Sequence, residues 1–326
     1  MVSNNGYLLE VNGLKTHFPV RKGLLRRTIG YVKAVDGVSF GIKKGQAFGL
    51  VGESGCGKTT VARTITRLIP ATAGKVVFDG IDVLSADKNQ LQMLHRETSI
   101  IFQDPFGSLN PRMTVGGIVG EPLKIQRKLV GRKLMEQVVE LLSKVGLSPD
   151  HINRYPHEFS GGQRQRIGVA RALSLKPKLV ICDEPVSALD VSIQSQILNL
   201  LKDLQDEFDL TCLFIAHNLA VVEFFCDVVA VMYMGRIVEQ APAEQLYRNP
   251  LHPYTRALMS AIPQVDTSRR QQKNKLAGEV PSVFNPPAGC PFNPRCPLAE
   301  NECLARIPPL KQYGEDKEHF VACWKC

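Results

Sequence analysis

Eight consecutive residues, Gly52-Glu53-Ser54-Gly55-Cys56-Gly57-Lys58-Thr59, restrict this chain more than any other stretch. They follow the apolar run Ala47-Phe48-Gly49-Leu50-Val51 and precede a helix-compatible segment that runs to about Leu68 and stops at Pro70. The stretch matches the pattern G-x-x-x-x-G-K-[ST]. Its glycines let successive backbone N–H groups turn inward as a nest, and the following helix adds the positive end of its dipole. Lys58 is then placed to reach the β- and γ-phosphates of a nucleotide, and the Thr59 hydroxyl to bind Mg²⁺. A chance Gly-rich turn is the competing reading, and the strand before and helix after argue against it.

A strand–loop–helix unit of this kind calls for a largely parallel sheet with helices on its faces. The rest of the chain agrees. Apolar strands are expected at 179–182, 212–216 and 228–233, with a helical segment between each pair. Residues 7–18 read as a strand, 38–42 as a strand, 75–84 as a hairpin-type segment and 99–103 as a short strand. Residues 114–172 read as mostly helical, broken at Pro122, Pro149 and Pro156, and residues 19–33 as a basic loop. The expected fold class is α/β, a P-loop NTPase with an antiparallel β portion, a helical subdomain at about 104–170 and a small Cys-rich extension. The expected division is 1–245 for the nucleotide-binding domain and 246–326 for the extension.

Two further segments carry chemistry. Leu179-Val180-Ile181-Cys182 runs into Asp183 and Glu184. A carboxylate at a strand tip can hold Mg²⁺, and the next one can polarise an attacking water as general base. An ordinary acidic turn is equally compatible with the pair taken alone. Ser160-Gly161-Gly162-Gln163 opens a helix whose apolar face includes Ile167, Ala170 and Leu173. It offers a second anion-binding end, or simply an N-cap by Ser160.

Together these segments resemble the ABC ATPase family over about residues 8–245. The resemblance implies that Ser160, Gly161, Gly162 and Gln163 form the signature that contacts ATP held by an opposite subunit. It implies that Gln103 is the Q-loop glutamine, catalytic and near Mg²⁺ with Thr59 and Asp183. Ser187-Ala188-Leu189-Asp190 resembles the D-loop, and His217 the switch histidine that contacts the γ-phosphate. Gly52, Ser54, Gly55, Cys56, Gly57, Lys58, Thr59 and Thr60 would surround the phosphates, with Asp183 and Asp190 nearby and Glu184 as base. The adenine would stack on Phe18 if 19–33 is an insertion; Tyr31 is the rival. A lone Gln or His is more often structural, and it is the order of the motifs that reverses this.

A narrower resemblance is to the oligopeptide and dipeptide importer subfamily. It rests on Gln103-Asp104-Pro105-Phe106-Gly107-Ser108-Leu109-Asn110-Pro111-Arg112, on Glu184-Pro185-Val186-Ser187-Ala188-Leu189-Asp190-Val191-Ser192, and on the tail segments His252-Pro253-Tyr254-Thr255, Gly289-Cys290-Pro291-Phe292 and Arg295-Cys296-Pro297. Asn110-Pro111-Arg112 and the basic insertion resemble the second of two paired ATPase subunits. The implied partners are two membrane permease subunits, a second paralogous ATPase and, indirectly, an extracytoplasmic peptide-binding protein. The implied place is the cytoplasmic face of the inner membrane, held peripherally. A nickel or other small-solute importer is the alternative, and a soluble non-transport ABC ATPase, with two cassettes or a long coiled-coil insert, fits less well. Nucleic acid is not an expected partner.

Composition bears on the tail and on location. Five of the nine cysteines fall between Cys290 and Cys326. Four thiolates, Cys290, Cys296, Cys303 and Cys323, suit an iron–sulfur cluster or tetrahedral zinc, though only Cys323 and Cys326 have close zinc-type spacing. The subfamily resemblance implies a [4Fe–4S] cluster on the first four; zinc is second and unliganded thiols third. Residues 278–326 are rich in Pro and poor in apolar runs, so a cross-link or metal is expected to order them. The net charge of +9 suits phosphate or an anionic surface, or a merely solvated basic face. No signal peptide and no run of about 18 apolar residues stands out, so a cytosolic chain is expected.

Overall fold

The computed structural model describes residues 6–23, 27–260, 281–314 and 318–326. Arg26 of the basic stretch, Pro263 and the first residues of the 278–326 segment lie outside the described residues.

Along the chain the elements begin with strands β1 (Tyr7–Lys22), β2 (Arg27–Lys43) and β3 (Ala47–Val51), followed by helix α1 (Lys58–Ile65). Next come β4 (Ala73–Phe78), β5 (Ile81–Asp82), α2 (Lys88–Glu97) and β6 (Thr98–Ile101). The helical stretch holds α3 (Val115–Arg127), α4 (Gly131–Lys144) and α5 (Gly161–Leu173). It leads into β7 (Leu179–Asp183), α6 (Val191–Phe208), β8 (Thr211–Ala216), α7 (Leu219–Phe225), β9 (Val228–Tyr233) and β10 (Arg236–Pro242). The C-terminal part carries α8 (Ala243–Arg248), α9 (Pro253–Ser260), α10 (Asn301–Ala305), β11 (Lys311–Gln312) and β12 (Phe320–Val321).

The chain forms two compact units, each discontinuous in sequence. The first comprises residues 1–42, 47–85 and 215–326. It holds an antiparallel sheet in the order β2-β1-β4-β5 and the strand series β11-β12-β10-β9-β3. The strand β3 is fully buried along its length and pairs in parallel with β9, Phe48 opposite Val228 and Val51 opposite Val231. Such a strand can be apolar at every position because both faces are covered. Its one glycine is needed: a Cβ on Gly49 would lie 2.6 Å from the Val222 Cγ1 of α7. The second unit comprises residues 43–46 and 86–214. There β6 and β7 pair in parallel, Thr98 opposite Leu179 and Ile101 opposite Cys182, and α3, α4 and α5 pack on one another through Val119, Leu123, Val138, Leu142 and Ile167.

Residues 19–33 differ from the expected loop. β1 continues to Lys22 and β2 starts at Arg27, so most of the basic stretch is strand. Its side chains are mainly exposed, so no buried face marked it as β; backbone pairing of β1 with β2 holds it instead.

The C-terminal segment docks within the first unit. Glu239 on β10 is fully buried, and its carboxylate accepts hydrogen bonds from the backbone N–H groups of Leu251 (2.7 Å) and His252 (2.9 Å) and meets His319 Nε2 at 2.8 Å. A buried carboxylate with that many partners is stable where an unpaired one is not. Burial pushes the neighbouring His252 down to about 4. Phe292 lies against Tyr233 and Tyr254, with ring centroids 5.3 and 5.5 Å apart. The segment thus uses core supplied by β9, β10 and α9, which its own sequence lacks.

Candidate active site

The phosphate loop 52–59 lies in the first unit between β3 and α1. Its shape depends on glycine at two points. Gly57 has φ 108°, and a Cβ there would sit 2.1 Å from the Ala34 carbonyl oxygen; a Cβ on Gly52 would sit 2.2 Å from that of Met232. Gly57 is also the N-cap of α1 and offers no side-chain cap, and the positive end of the helix dipole faces the loop. Lys58 is buried, and its Nζ donates to the carbonyls of Gly52 (2.7 Å) and Glu53 (3.0 Å). Burial raises the Cys56 thiol, which keeps it protonated beside that ammonium. His217 follows β8 in the same unit and is exposed. Phe18 on β1 and Tyr31 on β2 are both exposed, at 37% and 54%.

The second unit brings Gln103 to Glu184: the amide Nε2 donates to Oε2 at 3.0 Å. Asp183, the last residue of β7, is buried, while Glu184 is half-buried and adopts a left-handed backbone with φ 49°. A non-glycine residue in that region costs of order 1 kcal/mol and turns the carboxylate away from the strand direction. Both the Ser187 N–H (3.2 Å) and its hydroxyl (3.1 Å) donate to the Glu184 carbonyl and hold the turn. Gln194 Nε2 donates to the carbonyls of Val186 (2.9 Å) and Leu189 (3.0 Å) and shapes the segment ending at Asp190, the N-cap of α6. Ser160 caps α5 in a reciprocal box: its hydroxyl accepts from Gln163 N–H (3.4 Å), and Gln163 Oε1 accepts from Ser160 N–H (3.1 Å). A Cβ on Gly162 would lie 2.5 Å from Ile193 Cγ2, which accounts for that glycine. Arg171 Nη1 donates to Ser108 O at 2.6 Å, and Arg164 lies 3.8 Å over the Phe106 ring, which fixes the segment after Gln103.

An ABC transporter family model matches residues 35–187, and a model described as the oligopeptide/dipeptide transporter C-terminal region matches 238–303. The oligopeptide transport ATP-binding protein AppF of Bacillus subtilis strain 168 is 50% identical over 98% of this chain and 98% of its own length. The chain belongs to the ABC transporter family. The dipeptide transport ATP-binding protein DppF of Haemophilus influenzae is 47% identical over 99% of this chain and 98% of its own. Among solved structures, the ATP-binding cassette MJ0796, in a dimeric post-hydrolysis state bound to ADP and Pi, is 26% identical with a TM-score of 0.64, covering 72% of this chain and 98% of that one. The fold is that of an ABC-type cassette, and the chain is an ATPase of that family.

Within this ABC ATPase the first unit holds Phe18, residues 52–60 and His217, and the second holds Gln103, residues 160–163, Asp183, Glu184 and Asp190. In the sequence Glu53 occupies an unspecified position of the loop pattern, and Tyr254 and Arg295 stand out only as parts of tail segments. In the structure Tyr254 Oη accepts from the Glu53 N–H (2.9 Å), and Arg295 grips the Glu53 carboxylate through Nη1 (2.8 Å) and Nη2 (3.1 Å). Nothing in local spacing announces contacts between residues 242 positions apart.

The tail cysteines differ from expectation. Cys303 is buried and Cys290, Cys296 and Cys323 are intermediate, and the Cys290 N–H donates to Cys303 O at 2.7 Å. Burial pushes the Cys290 thiol up to about 11, with Cys303, Cys296 and Cys323 adding to it. Burial raises Cys296 too, whereas a hydrogen bond with Cys326 lowers Cys323. The donor set is thus of the right type for a four-thiolate group and within mutual electrostatic reach. Among the described residues, however, no three His, Cys, Asp or Glu side chains are grouped so as to hold a metal ion. The [4Fe–4S] cluster, zinc as its alternative, therefore has no assembled ligand set here. Neutral thiols do not draw one another together; deprotonation by a bound metal does. No helix among the described residues is long and apolar enough to cross a membrane.

Proposed function

We propose that this ATPase powers the import of di- or oligopeptides through a membrane permease. The observation that carries the reading is similarity over nearly the whole chain to proteins named for oligopeptide and dipeptide transport, together with a match to that transporter class in the C-terminal region at 238–303. The partners would be two permease subunits and a second, paralogous ATPase, with an extracytoplasmic peptide-binding protein delivering cargo. The chain would sit at the cytoplasmic face of the inner membrane.

The proposed chemistry assigns the motif residues the roles that the family resemblance implies. The glycine-shaped loop and the uncapped start of α1 cradle the phosphates, with Lys58 on the β- and γ-phosphates. Thr59, Gln103 and Asp183 are the residues that the family resemblance implies would hold Mg²⁺, which would neutralise phosphate charge. Glu184 acts as general base on the attacking water, and Gln103, already hydrogen-bonded to it, orients it. His217 contacts the γ-phosphate, Asp190 borders the site, and Phe18 stacks on adenine. Residues 160–163 serve the nucleotide of the paired subunit, so each site needs two chains. For the tail, we propose that Cys290, Cys296, Cys303 and Cys323 close around an iron–sulfur cluster, with zinc the alternative; what supports this is the gathering of four thiol donors in one short tail. Iron, sulfide and zinc analysis of anaerobically purified protein tests it, and metal-free protein with an ordered tail would refute it.

The decisive experiment is reconstitution of the chain with its permeases and paralogous ATPase in vesicles. Peptide uptake should require ATP, and hydrolysis should rise well above that of the isolated chain. Full hydrolysis by a strictly monomeric preparation, or ATP-independent uptake, would overturn the proposal.

A further inference from the structure

Every polar group of Glu53 is engaged. Its N–H donates to Tyr254 Oη at 2.9 Å, its carbonyl accepts from Lys58 Nζ at 3.0 Å, and its carboxylate takes both arms of the Arg295 guanidinium at 2.8 and 3.1 Å. The ends of this arrangement are well buried. Tyr254 is fully buried, and the Arg295 side chain is only 5% exposed. Arg295 also lies over the Tyr233 ring with its guanidinium carbon 5.9 Å from the centroid, and Tyr233 and Tyr254 pack at 4.6 Å. Exposed ion pairs contribute little, but a bidentate Arg–carboxylate fork set in an aromatic wall is specific in geometry and costly to break at one end.

The residue so held is one of the two whose carbonyls anchor the phosphate-loop lysine, the other being Gly52. We propose that Arg295, in the C-terminal segment, is a positioning residue for the phosphate loop: it neutralises and fixes Glu53, and ATP affinity thereby depends on the docked tail. The inference rests on the ATP-driven reading above. It reaches beyond that reading by assigning the tail a part in nucleotide binding. Two consequences separate it from a merely structural role. Without Arg295 the Glu53 carboxylate is left unneutralised beside the triphosphate and repels it. Removing that carboxylate as well should then restore much of the binding, which it would not do if the tail had simply come loose.

The test is the ATP dissociation constant of the full chain, measured by fluorescence of a labelled ATP. Arg295→Met should weaken ATP binding by about tenfold or more. Glu53→Gln combined with Arg295→Met should return affinity to within about threefold of the wild-type protein, the two effects being strongly coupled. Arg295→Lys, which keeps the charge but loses the fork, should fall between. In the assembled transporter the loss should read out in KM for ATP rather than in kcat. If Arg295→Met does not fold, Arg295→Lys and its Glu53→Gln double variant carry the same comparison. Wild-type affinity in the single variants, or a double variant as weak as the single one, overturns the inference. Failure of the wild-type chain itself to bind ATP would instead sink the ATPase reading.

Discussion

Two helices of this protein begin at a run of glycine and serine, and they begin differently. The helix α1 starts at Gly57 with no side-chain cap, whereas α5 starts at Ser160 with a complete capping box closed by Gln163. Both N-termini carry the same positive dipole. The first has no side-chain cap and relies on the loop around it, pinned at Glu53 and Lys58, for its shape. The second closes two of its amides, those of Ser160 and Gln163, with its own side chains. The difference teaches that Gly-rich helix starts are not one device. One end is built as a standing cradle for phosphate. The other is partly closed on itself, and under the proposed function it meets a nucleotide only when a second chain presents one.

The sharpest way to break this comparison is at Gly57. Alanine there meets the Ala34 carbonyl at 2.1 Å and must hold φ 108°. Gly57→Ala should therefore abolish measurable ATP binding, a loss of at least about a hundredfold, while circular dichroism checks that the fold survives. Retained affinity would mean the loop is not a preformed cradle. Next in size is Glu184→Gln, which leaves the cradle intact. Turnover in the assembled complex should fall by roughly 10² to 10⁴ with ATP binding kept, as measured by single-turnover hydrolysis and filter binding. Hydrolysis near the wild-type rate would remove Glu184 from the role of base. Smaller again is Ser160→Ala, which deletes a cap that α1 never had. It should cost about 1 kcal/mol in urea unfolding. No loss of stability would show that the box is ornamental and that Ser160 serves only a partner's nucleotide. The smallest effect belongs to the adenine. Phe18→Ala should weaken ATP binding by about 1 kcal/mol through lost stacking, measured by titration calorimetry. If Tyr31→Ala does so and Phe18→Ala does not, the platform lies on β2.

How much of this was legible beforehand varies from segment to segment. The strands at 179–182, 212–216 and 228–233 were plain because they are apolar at every position and buried on both faces. The basic hairpin around residues 19–33 was not, because exposed side chains leave no alternation to read and the pairing is a backbone matter. The capping box at Ser160 and Gln163 was half visible: the residue types suggested a cap, but only the hydrogen bonds distinguish it from an open anion site.

The amino-acid sequence by itself determined the phosphate loop, its flanking strand and helix, and the family order of the remaining motifs. Those features are legible as short contiguous patterns, although the close approaches that require Gly52 and Gly57 come from Met232 and Ala34, far off in the chain. Only the tertiary structure decided what holds Glu53 and how the tail finds a core. Arg295 and Tyr254 reach Glu53 from more than 200 residues away, and Glu239 binds His319 across 80. Contacts of that kind depend on which surfaces the whole fold brings face to face.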